Sequence, residues 1–407
     1  MKKLLLILFI SIFSFTLCGC EKENYLDGAI AVVYQNDIPY LINTKFETYS
    51  LEKYDYIVPE FGKYLVVSNT KGDDKVYGFI KNTGEEIIKP TYTSATVFSE
   101  DKAIVGLDGK LMIINPQNDC LYTFPQNMHS SKLYSEDMLV VEVDGKYTYL
   151  DNNFNLADIA YDYAASFVNG YAVVGNIIDG QIQYGLIDKQ FNVVIPLEHD
   201  FLDSYYDGYC RVADAVDAKN NEYIYHFIKL DGTYLLNENG KIASYDYALN
   251  FSNGVAVVAD YTTQDLYGTY KVYKFIGTDG KDAFSYRFKH EGEGLYYFEN
   301  LVYSSMTDTL VSVYRFKTSG AGAWSVLELY DGTFEAITLT IPEEFKDNEN
   351  IIYFKSPYEM TNFKYTNNEM TEGATPYARV RIYTGQYGLI DATGTYVLPA
   401  DYSFLFY

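Results

Sequence analysis

YDYAASFVNGYAVV, residues 161–174, returns as YDYALNFSNGVAVV at residues 245–258, with only four positions changed. Counting Tyr161 as position zero, Ala164, Phe167 and Gly170 hold positions three, six and nine, and Ala172, Val173 and Val174 hold eleven to thirteen. Residues 92–105 (YTSATVFSEDKAIV) put Ala95, Phe98, Ala103, Ile104 and Val105 into the same slots. Residues 199–212 (HDFLDSYYDGYCRV) put Tyr205, Gly208, Cys210, Arg211 and Val212 there, and a looser copy from Met128 adds Tyr134, Leu139, Val140 and Val141. Fixed-period self-similarity of this kind overrides any domain count based on length.

A second phrase lies between the copies: YGFIKNTGEEIIKPTY from Tyr77, YGLIDKQFNVVIPLEH from Tyr184 and YGLIDATGTYVLPADY from Tyr387. Each ends on the aromatic or histidine that opens the next first phrase: Tyr92, His199 and Tyr402. One unit therefore reads as a strand around AVV, a strand around YGLID, a turn, and a strand around VVIP. In YGLID, Tyr184 and Leu186 share one face and Gly185 and Ile187 the other, because strand side chains alternate. Glycine inside a strand implies that something approaches it closely, and a neighbour's aromatic ring is the expected cover. Pro196 and Pro399 are expected to end the third strand, since proline donates nothing to a ladder. Asp108-Gly109, Asp144-Gly145, Asp231-Gly232, Asp279-Gly280 and Asp331-Gly332 mark tight reversals. Three short strands cannot bury their own apolar faces, so units must stack on one another.

These units resemble the WG repeats of bacterial surface and signalling proteins, in the aromatic-glycine pairs Tyr77-Gly78, Tyr184-Gly185 and Tyr387-Gly388, in Gly84 and Gly394, and in Pro90, Pro196 and Pro399. The sequence departs from that pattern by carrying Tyr where the family has Trp; its single Trp324 precedes a serine. The resemblance implies a β-repeat architecture and usually no catalysis.

The expected fold is all-β, built of three- to four-stranded units arranged as a β-propeller-like ring, with an open superhelical β-array as the alternative. Starts near 54, 92, 128, 161, 199, 245, 291, 345 and 402 give eight or nine units. Residues 28–259 hold the WG-like repeats, 260–376 are divergent repeats or an insert, and 377–407 form a last repeat. The body begins with the second half of a phrase (DGAIAVV, 27–33) and stops in the first half (DYSFLFY, 401–407). Together the ends would complete one unit, which removes exposed strand edges in a ring.

The N-terminus has a different logic. Lys2 and Lys3 precede an apolar run over residues 4–15, too short for a comfortable membrane span and typical of an export signal. Residues 17–20, LCGC, resemble the lipobox of bacterial lipoproteins, with Cys18 where the family more often has Ala, Ser or Thr. The resemblance implies cleavage after Gly19, a signal peptide over 1–19, a lipid-modified Cys20, and a linker over 20–27 that holds the body close to the membrane. Of the remaining cysteines, Cys210 fills a slot where sister copies have Ala, which suits a small buried thiol; a Cys120–Cys210 disulfide stays open.

Net charge is −24, and loss of Lys2 and Lys3 with the leader takes it to about −26. Such acidity argues against nucleic acid and against an anionic bilayer as electrostatic partners. No metal constellation is expected: His129, His199, His226 and His290 are scattered, with His199 in an aromatic packing slot. TDGKD at 278–282 reads as a hairpin turn, SGAGAW at 319–324 as a flexible loop, and no G-x-S-x-G elbow occurs. Asp162, Asp200 and Asp246 each follow an aromatic and are read as turn-capping residues. Pairs such as Glu85-Glu86 and Glu343-Glu344 single out no acid–base couple. The expectation is a non-catalytic binding or scaffold module without cofactor or metal, anchored on the outer face of the cell membrane, with an unknown protein or glycan ligand. A cell-wall glycan-binding protein and a propeller-type glycan hydrolase with carboxylates on 260–375 are the alternatives.

Overall fold

The computed structural model describes residues 25–217, 222–251, 254–265, 268–283, short strands between 295 and 370, and most of 377–407. Residues 1–24 with Cys20, and His290, Asp331, Gly332, Glu343, Glu344 and Gly394, lie outside the described residues. Every regular element among the described residues is a β-strand, and all the pairings are antiparallel. Among the described residues, nine sheets of three or four strands and one two-stranded hairpin follow the chain. We number them first (29–50 with 404–406), second (56–92), third (94–123), fourth (128–151), fifth (163–199), sixth (201–228), seventh (247–277), eighth (295–337) and ninth (359–402).

The fifth sheet shows how the phrases become structure. Its strands are Tyr163–Ala164, Tyr171–Ile178, Gln181–Asp188 and Val193–His199, side by side in chain order. The opening phrase thus supplies a short first strand as well as the AVV strand, and the full unit here has four strands, one more than AVV, YGLID and VVIP. Two-residue turns with both φ values positive link the second and third strands, as at Asp108-Gly109 and Asp144-Gly145. Asp and Gly are the residues that tolerate this left-handed turn. The later Asp231-Gly232 and Asp279-Gly280 sit in longer turns, where only the glycine has positive φ.

The AVV strand is apolar on both sides because both sides are covered. Ala172, Val174 and Ile187 of the fifth sheet pack on Val140, Tyr149 and Tyr161, with Phe167 fully buried among them. Val173, Leu186 and Ile195 pack on Cys210, Val212 and Ile228 of the sixth sheet. Equivalent clusters join the first sheet to the second, the second to the third, the third to the fourth and the sixth to the seventh. The stacking expectation therefore holds at each of these boundaries.

The chain ends obey the same rule. Phe404–Phe406 takes the first-strand place beside Ala29–Gln35, with Val33 opposite Leu405 and Tyr34 opposite Phe404. Leu389 and Leu398 of the ninth sheet then share a core with Ala31, Val33 and Ile42 of the first. The two ends complete one sheet, as their sequences required.

Two expectations need correction. No ring covers the glycine of the Tyr-Gly pair. A Cβ on Gly78 would fall 2.4 Å from Ile88 O and 2.5 Å from Pro90 N; on Gly185 it would fall 2.6 Å from Ile195 O. Gly388 is closed off in the same way by Leu398 O at 2.8 Å. The close neighbour is the backbone of the fourth strand, which shifts register twice at this point in the second, fifth and ninth sheets. Nor does proline end that strand: Pro90, Pro196 and Pro399 lie inside Glu86–Tyr92, Val193–His199 and Tyr396–Tyr402. The fourth strand is the sheet edge and is bulged here, so a missing N–H costs no ladder bond. Tyr-Gly and Ile-Pro are two halves of one device.

Neighbouring sheets are also tied through their first turns. At position eight, Glu100 accepts from Asp137 N, Glu136 from Gly170 N (2.9 Å) and Asp207 from Gly254 N (2.8 Å), each amide being position nine of the next sheet. At position seven, Ser99 and Ser135 Oγ donate to Tyr134 O (2.7 Å) and Phe167 O (2.6 Å) of the next sheet. The turn residues Glu100, Asp101, Glu136, Asp137, Asn169 and Asp207 all have positive φ, which aims their side chains along the row of sheets.

Candidate functional site

The sequence-predicted residues disperse. His129 Nε2 pairs with Glu142 at 3.2 Å on the surface, and His226 Nδ1 lies 2.9 Å from Ala243 O. His199 is buried opposite Tyr184, and desolvation holds its imidazole below the ordinary value of 6.5. Among the described residues no three His, Cys, Asp or Glu side chains converge as a metal site. Cys120 is exposed and Cys210 buried, both free thiols, and burial pushes Cys210 up to about 12. The open disulfide is thereby settled: these two do not pair.

Asp162 does cap backbone, though across strands rather than in a turn. Its Oδ2 accepts from Ile177 N at 3.0 Å and its N donates to Asn176 Oδ1 at 3.2 Å. Asp55 repeats the exchange with Thr70 N and Asn69 Oδ1. The Ile177 amide, then Lys146, hold Asp162 below the usual carboxylate range. Asp279 turns back on Lys281 N at 3.1 Å, the hairpin turn expected of TDGKD. In SGAGAW, Ser319 and Gly322 are cross-strand partners at the tip of a hairpin.

Position two of the phrase is aromatic in five sheets, and three of these rings are conspicuous at the surface: Tyr56 is 43% exposed, Tyr163 40% and Phe404 38%. In three sheets the row pairs the ring with a small residue and then with the tyrosine of the next strand: Tyr56–Ser68–Tyr77, Tyr163–Gly175–Tyr184, Phe201–Ala213–Tyr225; Phe404 instead faces Tyr34. The small central residue lets the outer rings meet over it, and Tyr163 stands edge-on to Tyr184 at 5.4 Å.

One group breaks the repeat and concentrates polarity. At position twelve, Val66, Ile104, Val140, Val173 and Val257 face the next sheet, but the sixth sheet carries Arg211. Its guanidinium lies 5.2 Å from the Phe201 ring centre and 5.5 Å from that of Tyr225. Arg211 Nη1 donates to Ala248 O of the seventh sheet, and Nη2 pairs with Asp203 Oδ2 at 2.8 Å. Asn250 Nδ2 donates to the same Asp203 oxygen at 3.0 Å, while Ser204 N holds Oδ1 at 2.9 Å. Tyr206 and Tyr247 border the group; burial raises both phenols, with Asp203 adding to Tyr206 and Arg211 opposing at Tyr247. Arg211 Nε and Asn250 Oδ1 are buried without a partner, a donor and an acceptor left over inside an aromatic frame. Buried polar groups of this kind are normally satisfied, so they mark a place where a water or a ligand group fits. Arg379 occupies the same slot in the ninth sheet, donates to Leu405 O at 3.0 Å and lies 5.0 Å from the Tyr387 ring centre. Sequence reasoning passed over Arg211, although an arginine in a valine slot was the visible signal.

A family model described as a WG-containing repeat matches residues 77–110 and 184–213. These two segments of the chain carry the WG repeat. Each matched span starts at a Tyr-Gly pair and runs into the next sheet, so the WG repeat straddles a sheet boundary with the bulged proline strand at its centre. Tyr77 and Tyr184 stand where the repeat takes its name from Trp.

No curated protein matches the sequence. Among solved structures, a eukaryotic initiation factor superimposes over 93% of this chain and 96% of its own, at 9% identity and a TM-score of 0.53. At that identity the likeness concerns fold alone, and the fold is that of β-propeller proteins. Porphyromonas gingivalis dipeptidyl peptidase 4 is similar over 84% of this chain and 59% of its own, at 8% identity and a TM-score of 0.43. Tricorn protease follows with 89%, 47%, 10% and 0.28. These weaker likenesses carry no information about activity.

Proposed function

We propose that this protein is a lipid-anchored, extracytoplasmic lipoprotein whose WG-repeat body serves as a non-catalytic binding or scaffold platform. The reading is carried by residues 17–20, LCGC, after a basic and apolar leader and only a few residues before Leu26, where the folded body begins. Supporting it are the rigid, mutually packed sheets and the unsatisfied donor and acceptor at Arg211 and Asn250, which suit contact with a ligand more than turnover. The strong negative charge argues against polyanions as preferred partners. Globomycin treatment is expected to make the unprocessed precursor accumulate, and alkyne-palmitate labelling is expected to vanish in Cys20→Ala. Normal processing in the presence of the inhibitor, or labelling that survives the substitution, overturns the anchor.

A second reading, recognition of cell-wall glycan, has its own support in the Arg211 site. A sugar hydroxyl both accepts from a guanidinium N–H and donates to an amide oxygen, and aromatic faces stack on sugar rings. Binding on a glycan array that is lost in Arg211→Met, with no product released, favours it; release of shortened glycan favours the hydrolase alternative instead.

A further inference from the structure

Residues 25–28 fix where the chain enters the body. Leu26 is buried in the core between the first and second sheets, and its amide donates to Thr83 O at 2.9 Å. Asn43 Nδ2 donates to Asp27 O at 3.1 Å, and the Tyr25 ring lies 6.0 Å from Tyr49. Thr83 and Asn43 both belong to turns that join a third strand to a fourth. Because successive strands reverse direction, all turns of this kind share one end of the sheets with the turns between first and second strands. The second-to-third hairpin tips, at Gly72-Asp73, Asp108-Gly109, Asp144-Gly145 and Asp179-Gly180, lie at the other end.

We infer that the end bearing the third-to-fourth strand turns faces the lipid bilayer and that the hairpin tips point away from it. This orientation rests on the acylation of Cys20 proposed above. The five residue steps from Cys20 to Tyr25 reach at most about 17 Å. The strand Asp74–Lys81, which runs from a tip to the turn holding Thr83, rises about 26 Å over its eight residues. The tether is shorter than the body is tall, so it cannot bring an anchored lipid to the tip end. The outward surface is then the tip end, where Ile177 (61% exposed) and Ile178 (45%) stand on the fifth-sheet hairpin.

The test uses the full-length acylated protein in vesicles containing a rhodamine-headgroup phosphatidylethanolamine, in a Cys120→Ser background. A donor dye is placed at Asn82→Cys on the near end or at Asp73→Cys on the far end of the same sheet. Gln190→Cys and Gln181→Cys repeat the comparison on the fifth sheet, so the outcome does not depend on one variant folding. Intact mass first establishes the acyl groups. Energy transfer is expected to be at least about twofold higher from 82 than from 73, and from 190 than from 181, given a separation of about 26 Å. Equal or reversed transfer from an acylated protein overturns the orientation while leaving the anchor intact. A mature protein without acyl mass removes the anchor, and the orientation with it.

Discussion

The fifth and sixth sheets are neighbours and share a core, yet only the fifth follows the repeat closely. The fifth has four strands, Gly185 under the bulged Val193–His199 strand, and Val173 facing its successor. The sixth has three strands; its counterpart of Gly185 is His226, and its counterpart of Val173 is Arg211. These differences are linked to cause. Without a bulged fourth strand overhead, the glycine slot has room for an imidazole that reaches Ala243 O. Asp203 in place of Ala165 then lets a guanidinium occupy a slot that is apolar in the second to fifth sheets. The regular sheet maximises packing, and the irregular one gives up packing for polarity.

Exchanging the two boundaries should break this contrast most severely. Val173→Arg buries a charge with Ala165 where Asp203 would be needed, and is expected to cost about 3–5 kcal/mol in urea unfolding. The reverse change, Arg211→Val together with Asp203→Ala, removes both charges and should be nearly neutral, within about 1 kcal/mol. If Val173→Arg costs no more than the reverse change, the two boundaries are not the distinct environments described.

A smaller effect sharpens the glycine comparison. Gly185→Ala forces the Ile195 carbonyl to shift, at an expected cost of about 1–3 kcal/mol. His226→Ala, in the slot that no bulged strand crosses, should cost less, about 1 kcal/mol. Equal costs would separate the Tyr-Gly pair from the proline strand. Next comes the tie between the fourth and fifth sheets. Glu136→Ala removes a charge-assisted bond to Gly170 N and is expected to cost about 1–2 kcal/mol, with hydrogen exchange rising at that amide.

The smallest effect is a pH dependence. Burial holds His199 below its ordinary 6.5, so the folded state favours neutral imidazole and the unfolded state takes up a proton first. Its contribution is complete above about pH 6.5 and is lost as the pH falls below that value. His199→Tyr, the residue at the equivalent position zero of sister copies, should flatten the acid limb of the stability curve between pH 7 and 5. An unchanged acid limb would locate that loss elsewhere.

Much of the architecture was legible because the repeat is written in residue types that pleating alone constrains. The double-faced AVV strand, the Asp-Gly turns and the half-phrases at the two ends each led to the observed pairing. What stayed hidden depends on distance across strands. Gly185 announces a close approach without saying that backbone makes it, and Pro196 looks like a terminator until the edge position is known. The ties at position eight use Glu and Asp interchangeably, so their common role is invisible in a letter-by-letter comparison. Arg211 was in plain view but acquires meaning only beside Asp203 and Asn250, from another strand and another sheet.

The central claim is that consecutive units complete one another, the last and the first included. Tyr34→Cys with Phe404→Cys, in a Cys120→Ser background, tests it across the shared terminal sheet, where the two residues are cross-strand partners. Mild oxidation should join them within one chain and give a faster-migrating monomer that reverts on reduction. Free thiols, or only intermolecular dimers, would contradict the account.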